Sequence, residues 1–191
     1  MPRPEFTWPH MAASRIADSL GIYIPPENLH LVKKPRKSDT CCEFKEIRIG
    51  AGIEQAVEQA GRAVFAHALM LGERPSDTYI KSLDLRGLLH LRDVTTQVEF
   101  VPYIKEHSAR KKPKRHRERY NIIMSLDLNF SAISFRPADI REFSIDVMVE
   151  SESAVGKRGI NAELRRLCDT LLEKAAFKLA RKLVVLYGAR I

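Results

Sequence analysis

Three stretches in the second half of the chain alternate apolar and polar residues with a period of two. They restrict the possible folds more than any other feature. Val94, Thr96, Val98 and Phe100 alternate with Thr95, Gln97 and Glu99. Ile122, Met124, Leu126, Leu128 and Phe130 alternate with Ile123, Ser125, Asp127, Asn129 and Ser131. Phe143, Ile145, Val147 and Val149 alternate with Ser144, Asp146 and Glu150. Successive side chains of a strand point to opposite faces, so each run has one face for a core and one for water or a partner. Arg136-Pro137-Ala138-Asp139 is a turn signal between the second and third runs. Three such strands in succession predict an antiparallel β-meander, and its apolar face needs a cover.

The cover is visible in the last part of the chain. Leu164, Leu167, Cys168, Leu171, Leu172, Ala175, Leu179 and Leu183 trace one broad helical stripe, with Asn161 as a cap and Gly188 as a stop. Arg165, Arg166, Lys174, Lys178, Arg181 and Lys182 lie off that stripe. A second helix is predicted over residues 51–71. Ile53, Ala56, Val57, Ala60, Val64, Ala68 and Leu71 follow the i, i+3/i+4 pattern, and Gly72 stands where a helix would end. From Ala63 onward this stretch is apolar nearly all round, which predicts burial and makes His67 a core histidine. The fold class is therefore α+β: an antiparallel β-meander sheet covered by a long C-terminal helix and a second buried helix.

The remainder is less regular. Residues 1–8 read as an extended, proline-rich arm ahead of a single domain over 9–191. Pro9 opens a predicted short helix through Leu20, in which Ile16 and Leu20 share a face. ASRIADSLGI has the look of the first helix of a helix-turn-helix, but Pro25 and Pro26 stand where a recognition helix would begin. Leu29 and Leu31, then Phe44, Ile47 and Ile49, suggest two short strands around a KKPRK loop. Residues 76–92 predict a short helix or turn followed by strand from about Leu88.

At 191 residues with 45% hydrophobic and 29% charged residues, the chain has the composition of a folded globule and not of a disordered one. No run of about 20 apolar residues occurs, so no membrane-spanning helix is expected. The N-terminal residues show no signal-peptide pattern. Cys41, Cys42 and Cys168 make an odd set with an adjacent pair, which points away from a disulfide framework and toward a reducing, intracellular compartment. No second pair at zinc spacing accompanies them, so no metal or other cofactor is expected.

Charge is the strongest functional signal. Lys105, Arg110, Lys111, Lys112, Lys114, Arg115, Arg117 and Arg119 face only Glu106 and Glu118 within residues 105–119, a net +6 in a chain of net +8. Lys33, Lys34, Arg36 and Lys37 form a second cluster around Pro35. Everything outside the two clusters is slightly acidic. Charge concentrated in this way on a near-neutral globule is how a chain meets a polyanion. The larger cluster connects two predicted strands and is several times longer than an ordinary hairpin loop. Pro113 keeps its middle extended, and Tyr103 and Tyr120 flank it as candidate stacking residues. Ser151 to Gly159 ends in Gly156-Lys157-Arg158. It lacks the glycine and the hydroxyl residue of a P-loop, which leaves Lys157 and Arg158 as candidate single-phosphate contacts at a helix start.

No hydrolase, zincin or nucleophile-elbow motif occurs, so a non-enzymatic protein is expected. The predicted function is nucleic-acid binding, to DNA or RNA, mainly through the phosphate backbone. KKPKR and KKPRK equally fit nuclear import signals, with an import receptor as partner. The competing reading is a structural assembly protein of viral matrix or capsid type, which self-associates and meets nucleoprotein or an anionic membrane surface.

Overall fold

The computed structural model describes residues 16–29, 32–33, 47–103, 119–135 and 138–188. In chain order these form β1 (Ile16–Tyr23), α1 (Pro26–Leu29), β2 (Val32–Lys33), β3 (Ile47–Arg48), α2 (Gly50–Val64) and β4 (Phe65–Leu71). Then follow α3 (Asp77–Ser82), β5 (Leu85–Pro102), β6 (Arg119–Phe135), β7 (Ala138–Glu150), β8 (Val155–Gly156) and α4 (Ile160–Tyr187). The fold is mixed α+β. Six strands make one open sheet in the order β4-β1-β5-β6-β7, with β8 paired to the start of β6, and β2 and β3 form a separate two-stranded ribbon.

The three periodic runs are the long strands β5, β6 and β7, paired antiparallel. Their even-numbered apolar residues from Val94 onward on β5, and Ile122 to Phe130 on β6, face the core. On β5 the phase of alternation changes. Leu89 and Leu91 are buried, then Val94 and Thr96. The ladder passes from Leu91–Phe130 to Asp93–Asn129, so Arg92 is an extra residue and the strand carries a bulge there.

α4 and α2 pack side by side over the apolar face, in one core with β1, β5, β6 and β7. Every residue of the predicted α4 stripe is buried. Gly159, not Asn161, occupies its N-cap position, and no side chain of that residue is available to cap it. At the other end Gly188 has an ordinary right-handed φ of −83°. Tyr187 closes this end of the core, its ring edge-on to Phe65 and its hydroxyl donating to the Ile133 carbonyl at 3.3 Å.

Four sequence expectations are corrected. First, residues 16–20 belong to a strand and not to a helix. Ile16 and Leu20 lie four apart, a spacing shared by one helix face and one strand face, so it cannot distinguish the two. Second, the predicted helix 51–71 ends at Val64. Phe65 turns to φ −107°, ψ 149°, and the apolar run continues as β4, parallel to β1. A short apolar run without a clear period fits a parallel strand as well as a buried helix. His67 consequently sits exposed on the edge strand and is no core residue. Third, Leu29 ends the four-residue α1 and is not in a strand. Fourth, the sheet is mixed: β1 runs parallel to both β4 and β5. The N-terminal arm, the turn residues Arg136 and Pro137, and Cys41 and Cys42 lie outside the described residues.

Candidate nucleic-acid interface

The long hairpin between β5 and β6 is closed at its base by the Tyr103 amide, which donates to the Arg119 carbonyl at 2.9 Å. Lys105, Arg110, Lys111, Lys112, Lys114, Arg115 and Arg117 lie beyond that closure, outside the described residues, as do Lys34, Arg36 and Lys37. Lys33 lies in β2, opposite Ile47 of β3. Arg119, Lys157 and Arg158 are all described, and the fold brings them to one corner. Arg119 opens β6 and faces Gly156 of β8 across the ladder, and Lys157 and Arg158 follow Gly156 directly. All three residues are exposed.

Local chemistry explains how the corner is held. Ser151 is buried, and its hydroxyl accepts from the Ile122 amide at 2.9 Å while its own amide donates to the Ile122 carbonyl at 2.9 Å. This double link moors the end of β7 to the start of β6, and β8 then pairs with Arg119 and Tyr120. The Gly159 amide donates to the Gly156 carbonyl at 2.8 Å, which closes the turn carrying Lys157 and Arg158. The segment before α4 is thus anchored to the root of the basic hairpin. Sequence reading missed Ser151, because one serine among polar neighbours carries no periodic signal.

The two tyrosines part company. Tyr103 is exposed, whereas Tyr120 is buried and packs edge-on against Phe100 at 6.4 Å. Tyr120 is therefore a core residue and not a stacking platform. Odd-numbered residues on this part of β6 face away from the core, which puts Arg119 on the open side of the sheet.

That open side is acidic. Across β5, β6 and β7 its rows read Asp93-Asn129-Ser144, Thr95-Asp127-Asp146, Gln97-Ser125-Met148 and Glu99-Ile123-Glu150. Five carboxylates stand on these rows and no lysine or arginine. Asp127 and Asp146 are directly opposite one another, an unfavourable like-charge pairing. The Asp127 side chain is half-buried, with its Oδ1 shielded from solvent. The Lys178 ammonium reaches round the β7 edge to the Asp146 carbonyl at 2.6 Å.

Among the described residues, no three His, Cys, Asp or Glu side chains are placed to share a metal, and no helix is long and apolar enough to cross a membrane.

No protein-family model and no curated protein matches the chain. Its fold does resemble solved structures. A hemagglutinin homologue from Helicobacter pylori aligns with a TM-score of 0.54 at 13% identity, over 97% of this chain and 95% of that one. A lipoprotein from Caulobacter crescentus gives 0.40 at 13% identity, over 78% and 90%. PelC from Paraburkholderia phytofirmans, a dodecamer, gives 0.30 at 14% identity, over 83% and 89%. At such identities the likeness is one of fold alone, and only the first alignment is close enough to support it.

Proposed function

We propose that the chain is a non-enzymatic nucleic-acid-binding protein that grips the phosphate backbone, mainly without regard to sequence, through its basic hairpin. The observation that carries this reading is the net +6 of residues 105–119, mounted on a hairpin whose root also gathers Lys157 and Arg158. Salt dependence tests it. Each phosphate neutralised on duplex DNA contributes about −0.9 to the slope of log affinity against log salt. Five engaged cations then imply a loss of about 10²–10³-fold between 50 and 200 mM salt. Replacing Lys111, Lys112, Lys114, Arg115 and Arg117 by glutamine is expected to remove most of that slope. An affinity unchanged by these replacements, or a slope near zero in the unaltered protein, rejects the proposal.

A second reading, a self-associating assembly protein of matrix or capsid type, draws support from β4. Its sequence, FAHALML, has no charged residue, and among the described residues it is paired on one side only. Edge strands of soluble monomers are usually guarded by charge. Sedimentation separates the readings: oligomers without nucleic acid, or pelleting with anionic liposomes, favour the second. Nuclear import through the same basic clusters is compatible with either reading and predicts nuclear accumulation that the five glutamine replacements abolish.

A further inference from the structure

The two broad surfaces of the molecule carry opposite charge and look in opposite directions. α4 and α2 cover one side of the sheet, and the open side of β5, β6 and β7 is the other. On the open side Asp93, Glu99, Asp146 and Glu150 are exposed, with the Met148 side chain exposed among them. The last turns of α4 are the opposite in kind. Lys174, Lys178, Arg181 and Lys182 are exposed, and no Asp or Glu occurs from Lys174 to Tyr187. At 3.6 residues per turn these four cations and the exposed Phe177, Val184 and Val185 fall within roughly 160° of the helix circumference.

Much of this charge has no counterpart within the molecule. Among the described residues, only Lys178 of the four cations pairs with a carboxylate, that of Asp146 at 3.8 Å. Arg181 lies over the Phe177 ring at 5.8 Å and Lys182 over the Phe143 ring at 5.7 Å. On the sheet, Asp93, Glu99 and Glu150 face no lysine or arginine along their rows. The dimensions of the two faces also match. Lys174 to Val185 is about 17 Å of helix, about 10 Å across. Asp93 to Glu99 is about 20 Å of strand, and three adjacent strands span about 10 Å.

We infer that copies of this chain stack head to tail, with the basic and apolar face of α4 in one copy laid along the acidic face of β5, β6 and β7 in the next. This contact rests on the self-association of the second reading above and is distinct from the β4 edge. Charge selects both the occupant and its orientation. Two helical faces brought together set cation against cation, and two sheet faces set carboxylate against carboxylate, so a symmetric dimer through either face is repelled. A head-to-tail contact gives Lys174, Arg181 and Lys182 carboxylate partners and covers Phe177, Val184, Val185 and Met148. The two faces lie on opposite sides of one molecule, so the contact is heterologous and propagates from copy to copy. Each inner sheet then carries helices on both faces, a standard layer arrangement. A face of about 20 by 10 Å is small against the roughly 800 Å² per partner of stable complexes, so the association is weak and salt screens it.

The test is sedimentation velocity of the full, nuclease-treated chain at rising concentration, at about 50 and about 500 mM salt. The sedimentation coefficient is expected to rise with concentration at the lower salt and much less at the higher. A helix variant (Lys174→Glu, Arg181→Glu, Lys182→Glu) and a sheet variant (Asp93→Lys, Glu99→Lys, Glu150→Lys) should each weaken association at least tenfold. Mixing the two should restore it, because the reversed faces complement each other. No association of the unaltered chain overturns the stack together with the second reading. Association that survives both variants, or a mixture that fails to recover it, overturns the stack alone and leaves that reading to β4. Loss of association on the five glutamine replacements assigns the acidic face to a neighbour's hairpin. A monomer that pellets with anionic liposomes through Lys174, Arg181 and Lys182 assigns the helical face to a membrane. Either result overturns the stack. If a charge-reversed variant loses its folded circular dichroism spectrum, glutamine at the same three positions decides by the same measurement.

Discussion

His90 shows how much a single position depends on surroundings that lie far off in the chain. It sits on β5 beside Tyr23 of β1, with ring centroids 5.1 Å apart. Burial lowers its pKa below the ordinary 6.5, and the charges of Arg74 and then Arg92 lower it further, against a smaller opposing effect of Glu27. The folded state therefore holds fewer protons here than the unfolded state. The resulting stability is complete above pH 6.5 and is lost as pH falls through the folded value. Thermal unfolding between pH 7.5 and 5.5 should show His90→Asn with a shallower acid loss than the unaltered protein; equal slopes would place the titration elsewhere. Nothing in the local sequence announces this behaviour. Tyr103 and Tyr120 make the same point: they look alike beside the basic run, yet strand phase buries one and exposes the other.

Among the elements, α4 was the most legible because its signal is internal. Eight apolar positions over 20 residues select one face whatever that face meets, and the structure buries all eight. Leu171 is 0% exposed, so Leu171→Ala should cost about 2–5 kcal/mol in denaturant unfolding. Val185, on the same helix, is 66% exposed, and Val185→Ala should fall within about 0.5 kcal/mol of the unaltered protein. Similar costs for the two would refute the assigned face. The stretch 51–71 was legible only as apolar. Its first half has a helical period, but AHALML has no period that separates a turn of helix from an edge strand. β1 is ambiguous for a related reason: Ile16 and Leu20 lie four apart, which fits one face of a helix and one face of a strand alike.

At the scale of the whole molecule, charge is partitioned. One end of the sheet holds the hairpin root with Arg119, Lys157 and Arg158, the open face carries carboxylates, and the opposite end holds Arg86 and Arg141. The core joins these regions into one body, and Cys168 reports on its integrity. Burial, with a lesser effect of Asp169, pushes its thiol pKa up to about 11, so Cys168 holds little reactive thiolate at pH 8 in the folded protein. In a Cys41→Ser, Cys42→Ser chain, iodoacetamide should modify Cys168 only at denaturant concentrations that unfold the protein, as followed by mass spectrometry. Rapid native labelling would show α4 opening independently of the sheet.

Sequence alone determined that β5, β6 and β7 are strands with one wet face, that α4 covers them, and that positive charge gathers at one connection. Those properties are periodicities and local densities, complete within a few turns or a single strand. Tertiary structure decided the rest: that residues 65–71 pair with β1, that β8 sets Lys157 and Arg158 beside Arg119, and that the extra residue Arg86 of β5 meets Asp18 of β1. Each of these depends on which distant backbone edges hydrogen-bond to one another. A strand's own residues prescribe its faces but leave the identity of its neighbour to the packing of the whole core.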